Sequence, residues 1–564
     1  MSKTLYKLSA IVLATALTIT GCNWGSQSDS SSETAPATSS DNGFSKGKFE
    51  TPVTMTTVGY VNASFKFKNG ETLENNILTK WVKDNLNIDI KYNWTTAEDQ
   101  YKTKIMLDMS SGEEMPDVVY VTDPQLMSDL IDSGRFKDIS EDFEKYASPE
   151  VKKIYEKDPM YWAQVTKDGK RYGLPQLGKV MNNDPLLWIR TDFLKKANLE
   201  EPKTLDDLEK VMEAMKGTEL GNPPLAVSIK DGGKPYTSWR GDTSWVFGAY
   251  GVIPHYWNKW NGSDKLEYGS IQPEVKQALA RLAEWYKKGY LSPDVAMIDV
   301  SKSDESFKNG KSGIMTGPIF QGNSVRNFLW KNEPDATVKP IPVPTGPDGK
   351  SGRRYSPVQI GAFLINKDFK NPEAFFLYVN KMFEFSNPKA GGEFDNGYFE
   401  GYDYVMKDGK PSSVEADFPD KTKVEPFKYM LGGQWFFDPM QELNAYQKFY
   451  NGEKPSTPFE TKLYNSISDK EKADPKSVLE WQAAQITLDM KDTSIEDLFT
   501  GAMTETMKSK WEGLIKLETE TFAKIIYGKA PVDEFDTFVT QWKELGGDKI
   551  TEEVNAWYQS IQGE

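Results

Sequence analysis

The chain has 564 residues, of which 83 are acidic and 68 are basic, and its formal net charge at neutral pH is −15. Such an acidic protein is not expected to bind nucleic acid or an anionic membrane surface through its charge. It contains one histidine, His255, which excludes an H-E-x-x-H motif and any metal site built on two histidines. The sequence also lacks a G-x-S-x-G motif, the commonest nucleophile turn of serine hydrolases.

The N-terminal segment has the features of an export signal followed by a lipid attachment site. Lys3 and Lys7 precede an apolar run at residues 8–19, which is too short for a stable membrane span. The next residues, Thr20-Gly21-Cys22, resemble the bacterial lipobox, in which the cysteine thiol takes a diacylglycerol and becomes the new N-terminus. Cys22 is the only cysteine, so it has no partner for an internal disulfide. An ordinary signal peptide with an incidental cysteine is the alternative.

We therefore predict a lipoprotein signal peptide at residues 1–21 and a flexible tether at residues 22–49. The tether is rich in Ser, Thr, Gly, Ala and Pro and has almost nothing to bury. The protein is then predicted to be held on the extracellular face of the cell membrane by lipid alone.

Strand and helix patterns alternate at the start of the body of the chain. Residues 51–61, 88–94 and 118–121 are predicted strands, and apolar residues at helical spacing lie between them at residues 73–86 and 101–109. This strand–helix–strand–helix–strand order is typical of a parallel sheet, and it predicts an α/β fold.

Proline at the first turn predicts two later helices. Gln272 is predicted to cap a helix that begins at Pro273 and stops at Gly289, and Asn371-Pro372 begins a second helix that reaches residue 385. About the last 60 residues carry further amphipathic patterns, which predict a helical C-terminal region.

Seven short motifs resemble, in order, those of a known family. They are Ser111-Gly112 with residues 116–119 (PDVV); residues 168–175 (DGKRYGLP); residues 187–194 (LWIRTDFL) with 202–207 (PKTLDD); residues 307–313 (FKNGKSG); residues 361–366 (GAFLIN) with 371–373 (NPE); residues 527–534 (YGKAPVDE); and residues 542–547 (WKELGG). Together with the lipobox and tether, they are similar to the extracellular solute-binding lipoproteins of carbohydrate ABC transporters, in the long branch common in Paenibacillus-like Gram-positive bacteria.

The resemblance implies a two-lobe clamp with hinge crossovers, like the periplasmic binding proteins, and an added C-terminal helical region. Lobe one is expected at residues 50–185 and 356–430, and lobe two at residues 186–355 and 431–564. The resemblance further implies an oligosaccharide held between the lobes, delivery to the permease subunits of an ABC transporter, no catalytic residue, no cofactor and a monomeric protein.

Two other functions remain open from the residues themselves. Glycosidases need only two carboxylates, and 83 acidic residues leave such a pair open, so a surface enzyme acting on polysaccharide is one alternative. A binding protein for a peptide or another non-sugar solute is the other. Some long relatives hold calcium in a loop rich in Asp and Asn, but the corresponding residues 215–224 offer only Glu219 and Asn222, so we predict no metal.

The densest group of candidate ligand residues lies at residues 235–260, where aromatic side chains alternate with polar ones. Sugars stack their C–H faces on aromatic rings and place their hydroxyls against polar groups, so Trp239, Arg240 and Trp245 are predicted to bind ligand. A packed helix core is the alternative for this segment, and Trp257 and Trp260 are the candidates for that role.

The remaining candidates are chosen by their place in the fold. Asp123 follows the third strand, at the end where open α/β sheets bind ligands, although it could equally cap the next helix. Trp188 and Arg190 lie on the first expected crossover, with pairing of Arg190 to a nearby aspartate as its alternative. Tyr355 lies near the second crossover, and Trp435 lies on a glycine-rich loop that could instead be packed core.

Overall fold

The computed structural model describes residues 44–45, 47–181, 183–229, 236–355, 358–434 and 436–562. Two main sheets are built from nine strands: β1 (Val53–Val61), β2 (Ile88–Ala97), β3 (Val118–Val121), β4 (Gly173–Leu177), β5 (Leu186–Arg190), β6 (Leu225–Ala226), β7 (Ile314–Gly317), β8 (Val338–Ile341) and β9 (Gln359–Ile365). Short two-stranded ribbons pair Phe44–Ser45 with Lys48–Phe49, Thr166–Lys167 with Lys170–Arg171, Trp257–Asn258 with Glu267–Tyr268, Arg353–Arg354 with Ser494–Ile495, and Val405–Lys407 with Lys410–Ser412.

Helices cover both sheets and form the C-terminal region. The α-helices are α1 (Ile77–Leu86), α2 (Glu98–Ser111), α3 (Pro124–Asp132), α4 (Ser140–Tyr146), α5 (Pro149–Tyr155), α6 (Thr191–Ala197), α7 (Leu205–Met215), α8 (Ser244–Gly248), α9 (Glu274–Lys288), α10 (Val300–Lys308), α11 (Gln321–Ser324), α12 (Trp330–Asn332), α13 (Pro372–Ser386), α14 (Gln441–Tyr450), α15 (Pro458–Asn465), α16 (Asp469–Lys472), α17 (Leu479–Asp489), α18 (Glu505–Ile526), α19 (Glu534–Trp542) and α20 (Asp548–Gln562).

The first sheet has the strand order β2-β1-β3-β9-β4. Strand β1 pairs in parallel with both β2 and β3, as the alternating pattern predicts, while β9 runs antiparallel to β3 and β4. The sheet is therefore mixed, because β9 returns to it from the other half of the molecule.

The second sheet has the order β6-β7-β5-β8, in which β6 and β7 are parallel and β5 is antiparallel to both of its neighbours. Each sheet has its own hydrophobic core. One core contains residues between Phe49 and Val180 and between Val358 and Phe436, and the other contains residues between Leu186 and Val343 and between Leu443 and Val554. We call the parts built on these cores lobe one and lobe two, and this two-lobe α/β architecture confirms the predicted fold class.

The packing extends lobe one beyond the boundary expected at residue 430, because Leu431 and Phe436 are buried in its core. The C-terminal helices α18 to α20 pack into the core of lobe two, whereas Phe449 and Trp481 of α14 and α17 belong to a small separate cluster. Within the described ranges, no helix has both the length and the apolar composition required to cross a membrane.

Local signals account for the ends of several helices. Asn76 caps α1 by accepting hydrogen bonds from the backbone of Leu78 and Thr79. Helix α9 ends at Gly289, which adopts the left-handed conformation with φ +77° that glycine tolerates best. This helix begins at Glu274 with Pro273 as its N-cap, one residue later than the sequence predicts.

Candidate functional site

The carboxyl ends of parallel strands lie at one edge of each sheet, and the crossovers join these two edges. In lobe one the edge is formed by the ends of β1 and β3, at Val61 and Val121. In lobe two it is formed by the ends of β6 and β7, and the first residue of β5 pairs with Gly317 at the end of β7. The chain leaves β4 and β8 at these edges to cross between the lobes, so the space between the edges is the candidate ligand site.

The exposed Trp239 packs with the partly buried Arg240 and Phe320 at the edge of lobe two, and we call these three residues the lobe-two platform. Trp239 is 40% exposed, and its ring stacks on that of Phe320 with centroids 6.0 Å apart and an interplanar angle of 29°. The guanidinium carbon of Arg240 lies 4.4 Å from the centre of the Trp239 ring. Phe320 comes three residues after the end of β7, so the strand places it at the edge of the sheet.

Two hydrogen bonds fix the position of the Arg240 guanidinium. Its Nη1 donates to Asp304 Oδ2 at 3.0 Å, and its Nη2 donates to Ser324 Oγ at 2.9 Å. Burial lowers the pKa of Arg240, and the carboxylate of Asp304 opposes this shift. The fixed guanidinium keeps the indole of Trp239 in one orientation, with an open ring surface for a stacking ligand.

Lobe one contributes a second aromatic wall that sequence analysis missed. Tyr60 and Phe65 line a small pocket with Tyr120, Gly432 and Gly433 at the carboxyl ends of β1 and β3. Gly432 lies flat against Tyr120, because a Cβ at that position would come within 2.8 Å of the ring. Tyr60 could have been predicted from its position near the end of the first strand, since Asp123 was chosen for its position at the end of the third strand.

Two arginines fix the crossover between the lobes. Arg353 is fully buried and forms an ion pair with the equally buried Asp184. Arg354 donates to Asp242 and to the carbonyl oxygens of Ser238 and Asn183. These contacts connect the start of β5, the segment before α8 and the approach to β9 in one network. The hinge region is therefore tied together by charge-assisted hydrogen bonds.

Tyr355 lies next to these arginines on the crossover. Its backbone N–H donates to the carbonyl oxygen of Ile495 at 2.8 Å, and its own carbonyl oxygen accepts from the Tyr256 hydroxyl at 3.1 Å. Burial raises the pKa of Tyr355, and the nearby carboxylate of Asp184 raises it further. Its side chain is partly buried and packs against the core of lobe one.

Two of the predicted tryptophans are core residues. Trp188 and Trp245 are both 0% exposed. The indole N–H of Trp188 donates to the carbonyl oxygen of Gly317 at 3.2 Å, and that of Trp245 donates to the carbonyl oxygen of Asp242 at 2.8 Å. Neither side chain is accessible to a ligand, so we do not include Trp188 and Trp245 in the site. The packed-core alternative for this segment describes both Trp245 and Trp257, which is 2% exposed.

Arg190 and Asp123 have structural partners. Arg190 forms two hydrogen bonds with Asp192, at 2.9 and 2.7 Å, and an ion pair with Glu333 at 2.8 Å, so the alternative pairing holds. Asp123 caps α3 by accepting from the backbone N–H of Leu126 at 2.8 Å.

Asp123 also accepts from Lys102 Nζ at 2.7 Å. Burial raises the pKa of Asp123, but the hydrogen bonds from Lys102 and Leu126 outweigh this effect and lower the pKa. Trp435 and Cys22 lie outside the described residues. In the part of the chain that the structure describes, no group of three or more His, Cys, Asp or Glu side chains could hold a metal ion.

Residues 66–385 match the family described as bacterial extracellular solute-binding protein. The chain belongs to this family. The resemblance found in the sequence is thereby confirmed.

Two curated relatives in Bacillus subtilis (strain 168) illustrate this membership. Lipoprotein LipO is 23% identical over 482 residues, which cover 84% of this chain and 86% of LipO. The polygalacturonan/rhamnogalacturonan-binding protein YtcQ is 23% identical over 371 residues, 65% of this chain and 66% of YtcQ.

A solved structure, the HMO-binding ABC-transporter-associated solute-binding protein from Bifidobacterium longum infantis, has a TM-score of 0.61 at 16% identity. The similarity covers 90% of this chain and 99% of that protein. At this level of identity the comparison shows that the two proteins share a fold.

Proposed function

We propose that this solute-binding protein captures an oligosaccharide between its two lobes and delivers it to an ABC permease at the cell surface. The observation that carries the proposal is the lobe-two platform, an open tryptophan face at the sheet edge that is joined to lobe one by the crossovers. A ligand that touches both lobes stabilises the closed arrangement, which is the form a permease can recognise.

The chemistry of the facing edges suits a sugar better than a peptide. The rings of Trp239 and Phe320 on lobe two and of Tyr60 and Phe65 on lobe one provide flat apolar surfaces. Arg240 provides hydrogen-bond donors beside them. Sugar rings need this combination of an apolar stacking surface and nearby polar groups. The named ligands of relatives agree with this class: YtcQ is a polygalacturonan/rhamnogalacturonan-binding protein, and FusA from Streptococcus pneumoniae is a fructooligosaccharide transporter component.

We further propose that the protein is a monomer, retained on the extracellular face of the membrane by a lipid on Cys22, and that it catalyses no reaction. The support is the lipobox-like sequence before Cys22 and the naming of LipO, whose similarity spans most of both chains, as a lipoprotein. Neither a cofactor nor a metal is part of the proposal. Of the predicted site residues, we retain Trp239, Arg240, Tyr355 and Trp435, and we add Tyr60 and Phe65.

The proposal is tested by a thermal-shift screen over plant and bacterial oligosaccharides, followed by calorimetry on the best ligand. Trp239→Ala should weaken binding by roughly 1–3 kcal/mol, on the scale measured for base–aromatic stacking. The fold should remain cooperative because this side chain is 40% exposed.

Leu545→Ala is the matched control, since Leu545 is a large apolar residue of the same lobe, between α19 and α20, and is 53% exposed. Equal affinity of Trp239→Ala and the wild-type protein for the best oligosaccharide would contradict the assignment of the platform. Turnover of that oligosaccharide by purified protein would favour the polysaccharide enzyme instead.

A further inference from the structure

A cavity of about 210 Å³ lies in lobe two, between strand β6 and helix α10. For comparison, the apolar pocket beside Phe436 in lobe one measures about 20 Å³. All residues that line the larger cavity belong to lobe two, and none of them belongs to the lobe-two platform. The cavity is therefore separate from the space between the lobes.

The size of the cavity restricts what it can hold. A single water needs only about 10–15 Å³ of such space, so this cavity accommodates a small organic molecule. It is smaller than the roughly 300–1,000 Å³ of sites for drug-sized ligands, so it suits one ring rather than a chain of rings.

The lining has an apolar floor and a polar rim. Leu225, Ala226 and Val227 form the floor at the edge strand of the sheet, and Lys302 and Glu305 of α10 line the opposite side. Both of these charged side chains are exposed, and neither has an ion-pair partner among the described residues. A monosaccharide has the matching pattern, with an apolar C–H face and hydroxyl groups around its perimeter.

Ser303 gives an independent indication of a ligand. It lines the cavity, is 1% exposed, and its hydroxyl oxygen has no hydrogen-bond partner among the described residues. The backbone of Gly241 packs directly against this hydroxyl, because a Cβ at Gly241 would come within 2.3 Å of Ser303 Oγ. Buried hydroxyl groups without a partner are rare and costly, and a ligand hydroxyl entering from the cavity would satisfy this one.

We propose that this cavity is a second ligand site, which takes a single monosaccharide or a polyol of the same size. The site does not depend on the oligosaccharide function proposed for the cleft. It adjoins the lobe-two platform through one residue, since Asp304 follows Ser303 and forms the ion pair with Arg240. A molecule bound in the cavity would therefore also restrict the helix that holds Arg240.

Saturation-transfer difference NMR on the full-length protein tests this site directly. The probes are D-glucose, D-galactose, D-xylose, L-rhamnose, D-fructose and myo-inositol, each added separately. At least one of them should receive saturation from the wild-type protein and from Trp239→Ala, which changes a residue outside the cavity lining. Asn309→Trp, which places a large ring at the exposed rim of the cavity, should abolish the signal.

Ser303→Ala should weaken binding of the same probe about fivefold, as expected for one hydrogen bond, without lowering the melting temperature. If Asn309→Trp fails to fold, Lys302→Ala together with Ser303→Ala replaces it, because Lys302 is exposed and unpaired among the described residues.

Two results would overturn the site: no probe receives saturation from the wild-type protein, or the signal disappears in Trp239→Ala and persists in Asn309→Trp. An oligosaccharide titration on the same samples separates the two proposals. Binding of an oligosaccharide without binding of any small probe would leave the cleft function standing and would remove this site.

Discussion

Individual side chains in this protein show why residue type alone does not identify a ligand site. Trp188, Trp239 and Trp245 are the same residue in comparable sequence surroundings, yet only Trp239 is open to solvent. Trp188 lies within a central strand and Trp245 lies within α8 with its indole N–H bonded to the carbonyl oxygen of Asp242, whereas Trp239 lies outside any helix or strand. That difference depends on strand pairing between distant segments, which a single sequence does not report.

Glu518 is a residue whose buried position has a measurable consequence. It is 0% exposed in the core of lobe two, accepts from the Tyr268 hydroxyl at 3.0 Å, and lies 3.4 Å from His255 Nε2. Burial raises its pKa from 4.5 to about 8, and hydrogen bonds from Ser270 and Tyr268 lower it only in part. The folded protein therefore binds a proton here that the unfolded chain has released above about pH 5.

Because folding raises the pKa of Glu518, the contribution of this carboxyl group to the free energy of unfolding is fully present below the unfolded-state pKa of 4.5. It is lost as the pH rises through the folded-state pKa of about 8. A pKa that differs by one between the folded and unfolded states changes stability by about 1.4 kcal/mol, so the free energy of unfolding should fall by several kcal/mol between pH 5 and pH 8. Glu518→Gln, which stays neutral, should flatten this dependence in urea titrations.

Glu512→Gln, an exposed change on the same helix α18, is the matched control and should keep the wild-type pH profile. An unchanged slope in Glu518→Gln would mean that another group causes the loss of stability.

At the scale of elements, the predictions that depend on local signals agree with the structure. The sequence predicts strand β3 at its observed bounds, and proline at the first turn locates α13. Strand β2 continues three residues past its predicted end because it keeps pairing with β1 to the edge of the sheet. Sequence analysis did not predict the aromatic wall of lobe one, formed by Tyr60 and Phe65. Residues that meet there, such as Phe65 and Gly433, are far apart in sequence and come together only in the folded protein.

The helices α14 and α17 pack against the core of lobe two through Leu443, Leu479 and Ala483, and an ionic contact adds to this attachment. Arg326 forms a bidentate ion pair with Glu480 of α17, at 2.6 and 2.5 Å, and a second pair with Glu471 at 2.6 Å. The Glu480 side chain is only 3% exposed. Removal of one partner of a buried pair typically costs about 3–5 kcal/mol, because the remaining charge stays buried.

Glu480→Ala should therefore loosen this attachment before the rest of the molecule unfolds. We expect faster amide hydrogen exchange in α14 and α17 and a lower midpoint in urea, with little change in the sheets. Glu505→Ala is the control, since Glu505 pairs with Lys508 while being 85% exposed, and such surface pairs contribute less than about 1 kcal/mol. Equal effects of both variants would show that the buried ion pair adds no more to this attachment than a surface pair does.

At the scale of the whole molecule, the proposed anchor depends on one atom. Cys22→Ser removes the thiol that would accept a diacylglycerol, and the acidic chain has no charge-based affinity for an anionic membrane. The variant should appear in the medium or remain unprocessed, as measured by fractionation and mass spectrometry of the N-terminus. Retention of Cys22→Ser in the membrane fraction after a high-salt wash would contradict a lipid anchor at this residue.

The two cores joined by crossovers predict that the molecule closes on its ligand. The lobes share ion pairs at the crossover, such as Arg353 with Asp184, rather than one continuous core. Rotation about the crossovers therefore leaves the packing of each lobe intact, and a ligand that contacts both edges favours the closed arrangement. A saturating oligosaccharide should reduce the radius of gyration measured by solution scattering.

The same ligand should raise the melting temperature, since binding to the native state alone adds RT ln(1 + [L]/Kd) to its stability. A rigid enzyme would show this thermal shift without compaction, so the pair of measurements distinguishes a clamp from a fixed pocket. Trp239→Ala provides the internal comparison, because at a sugar concentration that saturates only the wild-type protein the variant should stay open. Tight binding with an unchanged scattering curve would mean that the crossovers do not act as hinges.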